Sequence, residues 1–431
     1  MVPNPTRSRT AGTVAAVCAA VFADGLLYSV IVPVLPRYAE RLGATPFAVG
    51  LLFASYAVAL LAATPVLAAV SDRVGRRTPL LLGLAAVAGA TLLFGFATSY
   101  PQLVAARSVQ GLAAAAVWTV GVALVAESVP PARLGVCLGT VMASMSAGLV
   151  LGPPLGGLLV EAHGYRATFL VCAGVVVGCL LLQVLFVREP SGPRDAPVAQ
   201  RKLLADPALR RTLVAVAAAA ASLSMLEPLL PLDLAERYGA GARDIGLVFG
   251  AATLAHLLSS PVLGALADRW SARRLMPVGL VAAGVLMPLL WIPRTTPGVA
   301  VVLVLFAVAY GLVLVPALPE IGAVVRAHGG TGYAGAYGAF NIAYAVGMVA
   351  GPVAGSAAAS RLTLGPVLVG FGALLAAGGV LLMVRRPARM NPDPHDIPGL
   401  PTVGSPTDGG THEPHRTRPA RRQVDCLPRH R

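Results

Sequence analysis

Charged side chains are scarce in this 431-residue sequence. Only 12% of its residues are Asp, Glu, Lys or Arg, whereas 56% are hydrophobic. The mean hydropathy of +0.75 is far outside the range of an ordinary soluble domain. We therefore interpret the chain as a lipid-facing protein.

Cysteines and catalytic patterns are also few. The five cysteines are scattered, odd in number and without a CxxC pair, which argues against a disulfide framework and a zinc site; they are Cys18, Cys137, Cys172, Cys179 and Cys426. The sequence contains no metal-spaced His/Cys set, no nucleotide-binding loop and no recognisable nucleophile–base pair. We expect neither an enzyme nor a protein with a cofactor.

Long apolar runs follow one another from about Ala11 to Met383. Because a membrane span needs roughly 20 apolar residues, turn and charge clusters divide this region into about 12 predicted spans. The first run continues through Asp24 without a convincing cleavage site, which indicates a retained helix rather than a signal peptide. The predicted spans are 11–35, 47–70, 79–98, 102–126, 136–160, 167–187, 211–234, 244–266, 275–292, 298–325, 333–358 and 363–384.

The net charge of +14 comes from arginines between the spans and in the tail, not from one basic domain, so we expect no nucleic-acid partner. One set of loops holds Arg73, Arg76, Arg77, Arg133, Arg188, Arg201, Lys202, Arg210, Arg211, Arg269, Arg273, Arg274 and Arg326. The opposite set holds fewer, namely Arg37, Arg41, Arg166, Arg237, Arg243, Arg294 and Arg361. By the positive-inside rule, both termini and the central loop are predicted to lie in the cytoplasm, with the protein in the inner (plasma) membrane.

Two patterns recur in the two halves of the chain. PVLPRYAERLG, from Pro33 to Gly43, returns as PLLPLDLAERYG, from Pro228 to Gly239, with one inserted residue. GxxxGPxxG at Gly148 returns at Gly347. The repeat predicts an all-α membrane protein of two pseudo-symmetric six-helix bundles, with substrate bound between them near the midplane. The predicted regions are a leader (1–10), a first bundle (11–187), a cytoplasmic loop (188–210), a second bundle (211–384) and a disordered basic tail (385–431).

Two further motifs indicate moving parts. The loop after span two contains Asp72, Arg73, Gly75, Arg76 and Arg77, in which the acid can form an ion-pair lock with arginines while Gly75 permits a tight turn. Its echo contains Asp268 and Arg269; in either copy the alternative is that the arginines are only membrane anchors. In span five, small residues four apart predict close helix contact beside a proline bend; they are Gly148, Gly152, Pro153, Gly156 and Gly157.

Ionisable residues within spans are the main candidates for function. Asp24 in span one and Glu227 in span seven lie on the first helix of each half, where a cavity between halves would be lined. A carboxyl group there can exchange a proton for a cation, the minimum requirement for antiport. The alternative is an acid neutralised by a fixed partner such as Arg107 in span four, which itself must face protein or water unless it reaches the outer interface.

Glu320 and His256 are weaker candidates. Glu320 follows Pro319 in span ten, and an equally good interpretation is that it is merely solvated near the cytoplasmic end. A histidine such as His256 suits proton transfer but equally suits simple packing in an apolar helix.

These residues resemble the drug:proton antiporters of the major facilitator superfamily, most closely the vesicular amine transporter branch. DRVGRR at Asp72 is similar to the family's cytoplasmic-loop signature, RSVQG at Arg107 to its fourth-helix motif, which includes Gln110, and GxxxGPxxGG at Gly148 to its antiporter motif. DGLLYSVIVPVLP at Asp24 and SMLEPLLP at Ser224 resemble the amine branch, and the resemblance spans about residues 15–384.

The resemblance implies roles for individual residues. Asp24 and Glu227 would contact the amine or carry protons, Arg107 would belong to the proton-linked network, and the Gly148 motif and Asp72 motif would shape the gates. Some positions depart from the branch. A lysine of helix two and an aspartate of helix eleven are replaced by Tyr56 and Asn341, the acid of helix ten by Leu314, and the asparagine after the first-helix aspartate by Gly25.

Three hypotheses for function remain open. The first is a proton-coupled antiporter that exports lipophilic cations, working as a monomer with small-molecule substrate, protons and the lipid bilayer as its only partners. The second keeps the fold but carries a neutral or anionic metabolite, or works by proton symport, with Arg107 and His256 supporting an anion. The third is a membrane sensor or scaffold whose basic tail binds anionic lipid or a protein.

Overall fold

The computed structural model describes residues 5–129, 131–187, 205–328 and 333–384. Predictions for residues 1–4, 188–204 and 385–431 lie outside these described residues. Where described, the chain is helical: α1 Pro5–Leu42, α2 Pro46–Val74, α3 Arg77–Phe96, α4 Tyr100–Ala115, α5 Gly121–Ser128, α6 Pro131–Phe186, α7 Pro207–Tyr238, α8 Ala242–Arg269, α9 Ala272–Leu289, α10 Thr296–Leu314, α11 Ala317–Ala327, α12 Tyr333–Ala359 and α13 Leu364–Val384. A π-helical turn, Ala116–Val120, joins α4 to α5.

Several helices begin where the sequence supplies a capping side chain and a proline. Thr45, Asp206 and Thr295 precede α2, α7 and α10, and the side chain of each accepts a hydrogen bond from a backbone N–H of the first turn. A proline stands within the first two positions of all three helices, where its missing N–H costs nothing. These short-range signals explain why predicted and observed starts agree closely.

Eleven helical stretches of the described residues are long and apolar enough to cross a membrane. One of them, Val136–Phe186, is 51 residues long, which at about 1.5 Å per residue is more than twice a bilayer's hydrocarbon thickness. Gly164 interrupts it with φ of 77°, a conformation that only glycine adopts easily. This stretch therefore holds predicted spans five and six, and the total of 12 spans is confirmed.

The helices of the two halves pack in the same way. In the first half α1 contacts α6, α2 contacts α4, and α3 contacts α6; in the second half the corresponding pairs are α7 with α12, α8 with α10, and α9 with α13. The halves meet where α1 contacts α7, α2 contacts α12 and α6 contacts α8. The predicted pseudo-symmetric architecture of two six-helix bundles is confirmed.

Candidate transport site

Asp24 lies midway along α1 and is only 2% exposed. Its Oδ2 accepts a hydrogen bond of 3.2 Å from the indole N–H of Trp118, which belongs to the π-helical turn Ala116–Val120. Such turns widen a helix locally and are common at functional sites. The other oxygen, Oδ1, has no hydrogen-bond partner within the described chain. Half of this carboxyl group is thus left for a ligand or a proton.

Glu227 lies on α7, in the other half of the molecule. Its Oε2 accepts a 2.6 Å hydrogen bond from the hydroxyl of Tyr28. Because Tyr28 is one helical turn after Asp24, both side chains lie on the same face of α1. One face of α1 therefore carries the first carboxyl group and the hydroxyl that holds the second.

Arg107 of α4 is fully buried, so it does not extend to an interface. Its guanidinium carbon lies 4.7 Å from the ring centre of Tyr28, 4.7 Å from that of Tyr56 and 5.1 Å from that of Phe53. Gln110, one turn further along α4, accepts a 2.7 Å hydrogen bond from Nη1. We call these three rings around Arg107 the aromatic cage. Its faces stabilise the cation without neutralising it.

No ion pair joins Arg107 to Asp24 or Glu227 among the ion pairs of the described residues. Its Nε and Nη2 also have no hydrogen-bond partner there. Arg107 is near enough to act electrostatically on both acids, but in this conformation no salt bridge within the described chain fixes it to either one. Both carboxyl groups are held by neutral donors, Trp118 and Tyr28.

The second half contributes further aromatic side chains. Tyr310 of α10 and Tyr344 of α12 are joined by a 3.1 Å contact between their hydroxyls. We call the rings of Tyr310 and Tyr344 the aromatic wall. The His256 ring of α8 lies 5.5 Å from the Tyr310 ring, which places this candidate next to the wall. Asn341 is exposed on α12, one turn before Tyr344, and contacts none of the groups above by a hydrogen bond.

The glycines of α6 form two contact faces. An added Cβ at Gly148, Gly152 or Gly156 would meet backbone atoms of α1, so these residues let α6 lie directly against the helix that carries Asp24. Gly157 instead faces Ala242 of α8, in the other half. Pro153 also faces α8, where its carbonyl meets Gly246. The motif therefore joins the Asp24 helix to the interface between halves.

Comparison with known proteins gives this geometry its context. The family model described as Major Facilitator Superfamily matches residues 17–221 and 212–407. The chain is 31% identical over 388 residues to the probable vesicular acetylcholine transporter-B of Danio rerio, covering 86% of this chain and 78% of that protein. The chain belongs to the major facilitator superfamily. It is also 28% identical to the synaptic vesicular amine transporter of Mus musculus, over 79% of this chain and 65% of that protein.

Solved structures of the superfamily share the fold. A bacterial homologue of the human lysosomal transporter Spinster, crystallised in an inward-facing, unoccupied conformation, matches with a TM-score of 0.72 at 16% identity, over 89% of this chain and 96% of that one. The human organic anion transporter TETRAN matches with a TM-score of 0.64 at 20% identity, over 88% and 100%. The resemblance to the vesicular amine transporter branch is confirmed, and this superfamily member is a transporter, not an enzyme.

The Asp72 motif of this transporter forms an ion-pair network at the start of α3. Arg76 pairs with Asp72 at 2.7 Å and with Glu127 of α5 at 2.8 Å. Burial lowers the pKa of the Arg76 guanidinium, but its hydrogen bonds to Glu127 and Asp72 raise the pKa by more, so the net shift is upward. Gly75 has φ of 94°, and Arg77 donates a 3.0 Å hydrogen bond to the Val184 carbonyl of α6. Most of the motif thus fixes helix ends to one another.

The remaining motif residues lie outside this network. Arg73 and Arg269 are exposed at their helix ends, as membrane anchors would be. The side chain of Asp268 lies outside the described residues. In the first copy of the motif, Arg73 is therefore the arginine that best fits the anchor interpretation.

Glu320 lies apart from the central residues. Its Oε1 is 2.9 Å from Arg273 Nε, at the start of α9. This pair joins the third and fourth spans of the second half, as Arg76 and Glu127 join those of the first. The structure therefore favours a structural role for Glu320 over a role in substrate binding.

Sequence reasoning missed most of the aromatic residues and Glu127. Tyr28 is four residues after Asp24, a spacing that could have indicated a shared helix face. Glu127 ends the fourth span beside the arginine-rich loop, which was a usable signal. Trp118, Tyr310 and Tyr344 stand in apolar runs and give no such signal, because their partners come from distant helices.

Proposed function

We propose that this transporter exchanges protons for small organic cations and so exports lipophilic amines. One observation carries the proposal: Asp24 and Glu227 come from opposite halves, each accepts a hydrogen bond from a neutral donor, and neither forms an ion pair with Arg107 among the described residues. Each carboxyl group is thus available to a proton or to a cation. Competition between the two ligands for the same groups is what couples their movements.

The charge balance of the site sets the expected exchange. With both carboxyl groups ionised, Asp24, Glu227 and Arg107 carry a formal net charge of −1. A net charge is costly away from water, so binding one proton or one monovalent cation restores neutrality. We therefore expect one bound proton to leave for each monovalent cation that binds.

The aromatic wall suits such a substrate. Rings attract organic cations over their faces, and attraction grows where water is excluded. Tyr310 and Tyr344 supply rings that Arg107 does not occupy, on helices α10 and α12, which both contact the Glu227 helix α7. The relatives named for acetylcholine and amine transport carry substrates of this cationic kind.

Two bundles, at 11–187 and 211–384, would alternate access to the site. The Gly157 and Gly246 contacts join the bundles at one end, and opening there requires that they separate. We propose that this end faces away from the cytoplasm, that both termini are cytoplasmic, and that a monomer in the plasma membrane suffices. A one-for-one exchange of a proton for a monovalent cation moves no net charge, so we expect the pH gradient and not the membrane potential to drive it.

Proteoliposomes with an imposed pH gradient test this proposal. Uptake of tetraphenylphosphonium and of a panel of lipophilic amines should follow the gradient in the wild type and be lost in Asp24→Asn and Glu227→Gln. Glu236→Gln, an exposed acid on the same helix as Glu227, is the matched control and should behave like the wild type. Cation movement in the wild type that ignores the pH gradient would refute the coupling.

Transport of an organic anion is the second candidate. It is favoured by one observation, the two N–H groups of buried Arg107 that lack a partner among the described residues. A carboxylate substrate would satisfy them by a paired hydrogen bond. Inhibition by aliphatic carboxylates but not by amines would select this function, and Arg107→Gln would then abolish that inhibition.

A further inference from the structure

A cavity of about 580 Å³ lies in the second half, away from the central carboxyl groups. α7, α9, α11 and α13 contribute its walls, at the end of the bundle where arginines concentrate. The lining is of two kinds. Arg211, Arg273 and Arg274 supply positive charge, and Met276, Val278 and Met383 supply apolar surface.

The positive charge of the cavity is only partly neutralised. Glu320, the only acidic residue among its lining residues, pairs with Arg273. Arg211 and Arg274 have no ion pair within the described part of the chain. Two guanidinium groups are thus available to one ligand, and guanidinium forks match the oxygen geometry of a phosphate.

The apolar side of the cavity reaches the outer surface of the bundle. Val278 is 45% exposed and Met383 is 44% exposed, on the membrane-spanning stretches that contain α9 and α13. Such surfaces face hydrocarbon in a membrane. A soluble phosphate would gain nothing from these side chains, whereas an acyl chain would lie along them.

The corresponding place in the first half is filled. There the Thr13 hydroxyl donates a 3.4 Å hydrogen bond to the Phe186 carbonyl, and the Phe186 ring packs against Gly12. Pro228 follows Pro33 by 195 residues in the repeat. By the same offset, the counterpart of Thr13 is Ala208, which lines the cavity. The cavity is therefore a departure from the repeat and not a consequence of the shared fold.

We propose that this cavity binds the phosphate-bearing headgroup of an anionic phospholipid. Arg211 and Arg274 would hold the phosphate, and an acyl chain would extend over Val278 and Met383. Basic pockets between membrane helices are suited to such headgroups, and anionic lipids are abundant in the cytoplasmic leaflet.

Native mass spectrometry of the full-length, delipidated protein tests this inference. The protein is incubated with phosphatidylglycerol or with phosphatidylcholine of the same acyl chains, and retained lipid is counted. Wild type should retain one phosphatidylglycerol in preference to phosphatidylcholine. The Arg211→Gln/Arg274→Gln variant should bind it roughly thirtyfold more weakly, from the contribution expected of two arginines. Arg210→Gln, exposed on the same turn of α7 and outside the cavity, should leave binding unchanged.

A second variant keeps the test independent of arginine loss. Ala208→Leu retains the charges but narrows the cavity beside the arginines, and it should also weaken retention. Equal retention of phosphatidylglycerol by the wild type and both variants would overturn the proposal, as would equal retention of the two lipids by the wild type. If glycerol 1-phosphate binds as tightly as the lipid, the ligand is a soluble phosphate, and the proposal of a membrane phospholipid is overturned.

Discussion

Removing one hydroxyl group, by Tyr28→Phe, separates the proposed coupling from simple packing. The Tyr28 hydroxyl is the donor that holds Glu227, at 2.6 Å. Phenylalanine keeps the ring that lies 4.7 Å from the Arg107 guanidinium, so the aromatic cage stays intact. The substitution therefore acts on the carboxyl group alone.

The expected loss of amine affinity follows from the hydrogen bond that is removed. A hydrogen bond to an ionised carboxylate contributes about 1.5–3 kcal/mol, and its loss disfavours the ionised, cation-binding form of the site. The cation then competes with the proton at a disadvantage of roughly 10–150-fold. We expect the apparent affinity for a monovalent amine to fall by this factor at neutral pH and to recover as the pH is raised.

Equilibrium binding of a radiolabelled amine to the purified protein, measured across a pH series, gives the needed comparison. Tyr56→Phe is the matched control, because Tyr56 also faces Arg107 but its hydroxyl makes no hydrogen bond among the described residues. Its affinity should stay within about twofold of wild type. Equal losses in the two variants, or a loss in Tyr28→Phe that is independent of pH, would refute the reasoning.

Three further substitutions test the contact between the halves, the Asp24 site and an ion pair outside that site. Gly246→Ala places a methyl group against a carbonyl of α6 and should reduce the uptake rate at least tenfold. Gly174→Ala is its control: the added methyl group meets nothing within 4 Å, so the uptake rate should stay unchanged. Trp118→Phe removes the 3.2 Å donor to Asp24 and should weaken amine binding about tenfold in the same binding assay, a loss of about 1.5 kcal/mol. Glu320→Gln breaks a partly exposed ion pair outside the site and should keep the uptake rate within about twofold.

The fold was largely predictable from the sequence because its signals are local. Apolar runs of spanning length, caps such as Thr45 and Asp206, and the repeat at Pro33 and Pro228 each act over a few residues. Buried carboxyl groups were predictable for a related reason, since an acid such as Asp24 within an apolar run is costly without a function. The merging of two spans into α6 was not foreseen, because only the backbone at Gly164 separates them.

The partners within the site could not be predicted. Trp118 and Asp24 are 94 residues apart, and Tyr28 and Glu227 are 199 apart, so only the packed bundle shows that they meet. The same limit explains why Arg107 was considered as a partner of the acids. Aromatic faces also attract a guanidinium, and sequence alone does not show which partner the folded bundle brings to it.

Counting protons tests the central claim most directly. Purified transporter near pH 7, in weakly buffered detergent solution with a pH-sensitive dye, is titrated with a saturating monovalent amine. The charge balance of Asp24, Glu227 and Arg107 predicts the release of about one proton per bound cation, and no release from Asp24→Asn/Glu227→Gln. Cation binding to the wild type without proton release would contradict the account.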